Sequence, residues 1–195
     1  MPIAGAAKRW MMLAAALLSS LAVVSQTGDH PSSEASDSVR IVTAHDKTIV
    51  VREKGNKHEF DFDEDLQLSQ IDTVELLFQN RAKDELYLLM HIVGPSTGGG
   101  NGQCGAGQEE YLIWMALDAK WQKDDQKLEL IASCFQNIGG VSPESYTVKQ
   151  GKLVAEYIEF KEDDEGEQVT LTYDSAEPDK AWTIERKHYS QPNGQ

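Results

Sequence analysis

The residues with the most chemical potential lie in one glycine-rich stretch, Gly94-Pro95-Ser96-Thr97-Gly98-Gly99-Gly100-Asn101-Gly102-Gln103-Cys104-Gly105-Ala106-Gly107, which holds seven of the fifteen glycines. Gly100-x-Gly102-x-x-Gly105 has the lettering of a dinucleotide fingerprint. That chemistry needs a helix directly afterwards to hold the pyrophosphate, whereas Glu110 to Leu117 reads as a strand. A phosphate loop of the Walker kind would need Gly-Lys-Ser/Thr, which the stretch lacks. As a nucleophile, Cys104 would need a following helix whose dipole depresses the thiol pKa, and a downstream general base. His188 is the only later histidine, and it sits in a charged stretch near the C-terminus.

Over the five residues Asn101 to Gly105 the segment resembles the nucleophile segment of papain-like cysteine hydrolases, in which Gln and Cys supply the oxyanion donor and the thiolate. The resemblance implies a cysteine hydrolase using Cys104, the alternative to a binding role. A structural reading of the two cysteines, Cys104 and Cys134, is favoured by the export signal described below, because oxidising compartments drive such pairs into a disulfide. Closing a span of about 30 residues would stabilise the fold by about 3–4 kcal/mol through the entropy of the unfolded chain. The strand leaving the loop near Glu110 turns after Leu117 and returns to Ser133, which brings both cysteines to one end of a hairpin. A glycine loop pinned in this way is a natural binding element. Asn101 and Gln103 on the loop, and Trp121 beyond it, are the expected partner-contacting residues. Trp114, Trp121 and Tyr111 are also possible stacking surfaces for a small ligand such as a carbohydrate.

Other chemistry finds little support. No His-x-x-x-His or Cys-x-x-Cys spacing occurs, so no zinc site is expected. The acidic runs Asp61 to Asp65 and Glu162 to Glu167 do not fit a calcium loop, since with Gly166 in the sixth loop position the first position is Lys161. With no Gly-x-Ser-x-Gly and no other catalytic constellation, the expectation is a non-enzymatic protein without cofactor or metal. His91, on an apolar strand, reads as a satisfied core residue.

The elements that must position these residues are short apolar runs broken by turn residues about every ten positions, the pattern of an antiparallel all-β meander folded into a β-sandwich or partly closed barrel. Val39 to Ala44, Thr48 to Glu53 and His58 to Phe62 form a three-stranded start. Residues 66–78 are ambiguous: Leu68, Ile71, Val74 and Phe78 fit a helical stripe, and one short helical turn over Leu66 to Ile71 (a short helix near 64–72) followed by a strand from Thr73 reconciles this with the alternation of Val74, Leu76 and Phe78. Leu86 to Val93 and Tyr111 to Leu117 are apolar on both faces, which marks them as central strands covered on both sides. The later strands, such as Val169 to Tyr173, are one-sided. About ten strands are expected in a single domain over 39–190.

Ahead of that domain, Lys8 and Arg9 precede a mostly apolar run from Trp10 to Val24, the layout of a secretory signal over 1–25, with cleavage after Ala22 or Ser25. Residues 26–38 hold one Ala and no larger apolar side chain, so a disordered leader is expected. These features predict a periplasmic or secreted protein. Of 195 residues, 32 are acidic and 18 basic, a net charge of −14 that becomes −16 once Lys8 and Arg9 are removed. Such a charge disfavours nucleic acid and anionic membrane surfaces as partners. Ten acids lie from Glu156 to Asp179, against Lys161 within the stretch and Lys180 directly after it. A cationic partner would be steered to such a surface. The expectation is therefore an exported acidic binding protein, an inhibitor or immunity-type protein for a basic envelope enzyme or toxin, acting as a monomer or small homo-oligomer.

Overall fold

The computed structural model describes residues 39–97, 107–141, 144–161 and 165–190. The expected signal peptide (1–25) and leader (26–38) lie outside the described residues, as do Asn101, Gln103 and Cys104. Twelve strands follow in chain order: β1 (Arg40–His45), β2 (Thr48–Glu53), β3 (Asn56–Asp61), β4 (Thr73–Ala82), β5 (Glu85–Pro95), β6 (Gln108–Leu117), β7 (Lys123–Ser133), β8 (Ile138–Gly140), β9 (Thr147–Lys149), β10 (Lys152–Phe160), β11 (Glu165–Asp174) and β12 (Trp182–Ser190). The first three form one antiparallel sheet. The other nine form a second, in the order β12-β11-β10-β8-β7-β6-β5-β4 with β9 also on β10, and this sheet is not closed into a barrel. The all-β sandwich expectation holds.

Several hairpins are set by local turn chemistry. Lys54-Gly55, Lys83-Asp84 and Gln150-Gly151 each place two consecutive residues at positive φ, between 49° and 85°. Two-residue turns of this kind match the twist of the strands they join.

Side-chain alternation explains why β5 and β6 are apolar on both faces. Leu86, Leu88, Met90 and Ile92 of β5, with Tyr111, Ile113, Met115 and Leu117 of β6, face a first core shared with Ile49, Val51, Phe60 and Phe62. Tyr87 and Leu89, with Leu112, Trp114 and Ala116, face the opposite way into a second core completed by Leu153, Ala155 and Tyr157 of β10 and Val169, Leu171 and Tyr173 of β11. The pair β5–β6 is thus the middle layer between the small sheet and the β10–β11 arm.

The helical turn expected near 64–72 is absent, and the backbone donors show why. After one turn closed by Leu66 N to Phe62 O (3.1 Å), the next amides bond outward: Ser69 N to Pro95 O (2.8 Å), Ile71 N to Asp46 O (2.6 Å) and Asp72 N to Val93 O (2.9 Å). Neighbouring strand ends satisfy the donors that a helix would have bonded internally. Leu66, Leu68 and Ile71 still enter the first core, so their spacing records burial rather than helix. The count also exceeds ten, because β8 and β9 are three residues each. No periodicity can be read in three residues.

Candidate functional site

Trp121 lies in the turn joining β6 to β7, and its backbone is left-handed with φ 65°. A bulky side chain rarely adopts that region. Asp118 enforces it: one carboxylate oxygen accepts from Lys120 N and Gln122 N, both at 2.8 Å, while Trp121 N donates to Asp118 O and Asp118 N to Gln122 O, both at 3.0 Å. The turn is closed by its own first residue. Held there, the indole stacks flat on His58 of β3, with ring centroids 3.9 Å apart and planes 6° from parallel. The contact ties the β6–β7 turn to the small sheet.

On the Trp121 side is an open groove of about 530 Å³ lined by Trp121, Asp118, Glu53 at the end of β2, Arg81 near the end of β4, and Lys83 and Asp84 of the β4–β5 turn. Arg81 pairs with Glu53, and Lys83 reaches Asp179 at 3.0 Å. Asp84 is exposed and has no cation of its own among the described residues. Tyr87 donates to Glu85, and burial together with that carboxylate pushes the phenol up to about 12. Acids also flank the other side of the turn. Asp61, Asp63, Glu64, Asp65, Asp124 and Asp125 are all exposed, and Asp65 is tied to the β7 end by Gln126 Nε2 at 2.8 Å. Lys47 meets Asp63 at 3.3 Å and Lys123 meets Asp65 at 4.0 Å. Six acids against three bases, Lys47, Lys123 and the exposed Lys120 of the turn itself, leave this flank negative.

Trp121 and the start of β6 lie at opposite ends of that strand: its ten residues put Leu117, just before the Trp121 turn, about 30 Å from Gln108 at ~3.4 Å per residue. Cys134, by contrast, follows Ser133, which pairs with Glu109 beside the stretch. Among the described residues there is no free cysteine. The other two proposed stacking residues are core: Trp114 is buried and donates from Nε1 to Pro178 O at 2.9 Å, and the buried Tyr111 hydroxyl accepts from Gln67 N at 3.3 Å.

His91 is satisfied, as expected, although its environment is polar. Its Nε2 donates to Glu110 Oε2 at 3.0 Å, and the same oxygen accepts from Ser145 Oγ at 2.6 Å. The Tyr146 ring meets His91 edge-on, with its hydroxyl donating to Glu75 at 3.0 Å. Serine and histidine both address one carboxylate, so neither activates the other. The hydrogen bond from His91 holds Glu110 below the ordinary carboxylate value, against burial, with Ser145 adding to the effect. The cluster fastens the segment before β9 onto the sheet. Among the described residues, no group of three or more His, Cys, Asp or Glu is placed to hold a metal ion.

The acids between Glu156 and Asp179 are less bare than the linear sequence suggests. Arg186 of β12 meets Glu159 at 2.7 Å and Glu167 at 3.3 Å, Lys152 meets Asp174 at 2.7 Å, and Lys83 meets Asp179. These three bases lie outside the stretch and are brought in by strand pairing and packing. Lys161, Lys152 and Lys83 lower the carboxyl pKa values of Glu167, Asp174 and Asp179 respectively. Signal for the Trp121 site existed in the sequence only as Asp118-x-x-Trp121; the His58 stack and the groove were invisible there. Compared with known proteins, the chain matches no family model, no curated protein and no solved structure.

Proposed function

We propose that the chain is an exported, non-catalytic binding protein that captures a basic partner at the end of the sandwich carrying Trp121. The observation that carries this reading is the held ring: a large aromatic kept in left-handed backbone by Asp118 and lining an acid-edged groove. Strained backbone persists where surrounding structure over-determines it, and it concentrates at binding sites. Rigid aromatics in pockets are the commonest anchors of interfaces. The net charge of −14 adds long-range attraction for a cationic surface. Export rests on the N-terminal signal pattern, and with it goes a Cys104–Cys134 disulfide at the far end; the place of Cys134 next to the residue paired with Glu109 supports that bond.

Pull-down from an envelope extract, with wild type and Trp121→Ala at low and high salt, tests the proposal. A basic protein should be retained at low salt, released at high salt and lost with the variant. Recovery of no basic partner, or of one indifferent to both salt and Trp121, overturns it. One observation favours a smaller ligand: a volume of about 530 Å³ falls within the range of small-molecule sites, roughly 300–1,000 Å³. A carbohydrate on the indole would change tryptophan fluorescence without salt dependence, which separates the two readings.

A further inference from the structure

An antiparallel sheet that stays open must do something with its outer strands, whose unpaired N–H and C=O groups template pairing with another chain. Most edges here are blunted. The register of β4 slips between Leu76 and Phe78 and that of β1 between Ile41 and Thr43, while β9 is three residues long and β3 six. β12 differs. It pairs with β11 through nine consecutive residues, from Tyr173 opposite Trp182 to Glu165 opposite Ser190, without a slip, and no described strand pairs with its other side.

The side chains of β12 are charged, which ordinarily discourages pairing. Their order makes one pairing favourable. Arg186 shares the face of Val169, and its charge is met within the chain by Glu159 and Glu167. Glu185 and Lys187 flank it on the opposite face, both exposed and neither in an ion pair among the described residues. We propose that β12 pairs antiparallel with β12 of a second copy about a two-fold axis at Arg186, joining the two large sheets into one. In that register Glu185 of each copy lies opposite Lys187 of the other, and Ile184, a large apolar side chain left 38% exposed, lies opposite His188. Shifting the axis by one residue sets Glu185 against itself or Lys187 against itself. The chosen register does set Arg186 opposite Arg186 across the axis, but each guanidinium is engaged by Glu159 and Glu167 of its own chain, and of these three registers this one alone also places opposite charges directly across the strand pair, which is favourable. A self-complementary patch of this kind is what a two-fold dimer requires.

Sedimentation velocity on the purified protein over a range of concentrations, at low salt, tests the inference. Wild type should dimerise. Glu185→Lys and Lys187→Glu should each weaken the dimer by about tenfold or more, because each places like charges opposite one another twice per dimer. The double variant, Glu185→Lys with Lys187→Glu, should recover it. Both positions are exposed, and an unchanged circular dichroism spectrum verifies the fold of each variant. A wild type that stays monomeric, single variants that dimerise as wild type does, or a double variant that fails to recover each overturn the proposal. None of these outcomes bears on the Trp121 groove, which the pull-down tests separately.

Discussion

Position 121 offers a test in which the backbone and the ring can be separated. Replacing Trp121 by Ala removes the stack on His58 and the packing against the first core. Truncating a fully buried Trp costs about 3–5 kcal/mol, and a half-buried ring should lose about half of that, roughly 2 kcal/mol. Ala must still adopt φ 65°, as Trp121 does. An L residue there costs about 1–2 kcal/mol. Glycine escapes the steric cost and loses about 0.4–1 kcal/mol through its freer unfolded chain. The difference leaves Trp121→Gly more stable than Trp121→Ala by about 0.5–1 kcal/mol, the reverse of the usual ordering in regular structure. Urea unfolding followed by far-ultraviolet circular dichroism would measure both, since the substitution itself deletes a fluorophore. If the Ala variant equals or exceeds the Gly variant, the backbone at 121 is not held left-handed, and the argument from strain to binding fails.

Gly94 is a second pressure point: a Cβ there would overlap the backbone carbonyl of Gln70 and touch Leu68, so Gly94→Ala should cost about 1–3 kcal/mol as an overpacking change, read as a lower urea midpoint. Glu110 sets a pH dependence. Its folded pKa is lowered from 4.5, chiefly by the His91 hydrogen bond, so its contribution is present above the unfolded value and lost as pH falls through the folded one; Glu110→Gln should flatten stability against pH in that acid window, and an unchanged profile would refute the role. For the cysteines, alkylation of the native protein followed by mass measurement should find no reactive thiol, and two after reduction in denaturant. A thiol titrating in the native state would favour the hydrolase reading of Cys104 instead.

A feature is legible in the sequence when the residues that make it are near one another along the chain. Leu86 to Val93 and Tyr111 to Leu117 announced themselves as central strands because alternation that is apolar on both faces has one common physical cause, cover on both sides. The turns at Lys54-Gly55 and Asp84 were equally local. Leu66, Leu68 and Ile71 misled because burial in an irregular segment and burial on a helix leave the same spacing, and only the donors' remote acceptors, Pro95, Asp46 and Val93, decide between them. The cluster of His91 and Glu110 with Ser145 spans three separate segments, so no window of sequence contains it.

What the sequence by itself determined is what nearest neighbours and periodicity encode: an all-β fold, its two innermost strands and its acid excess. Tertiary structure alone decided which charges meet. Arg186 meets Glu159 and Glu167 across two strands, while the indole of Trp121, which the sequence grouped with Asn101 and Gln103, follows the end of β6 that lies about 30 Å from Gln108 at ~3.4 Å per residue. The physical reason is that a strand fixes its side chains' faces by a period of two, whereas the neighbour each face meets depends on how the sheets pair and pack.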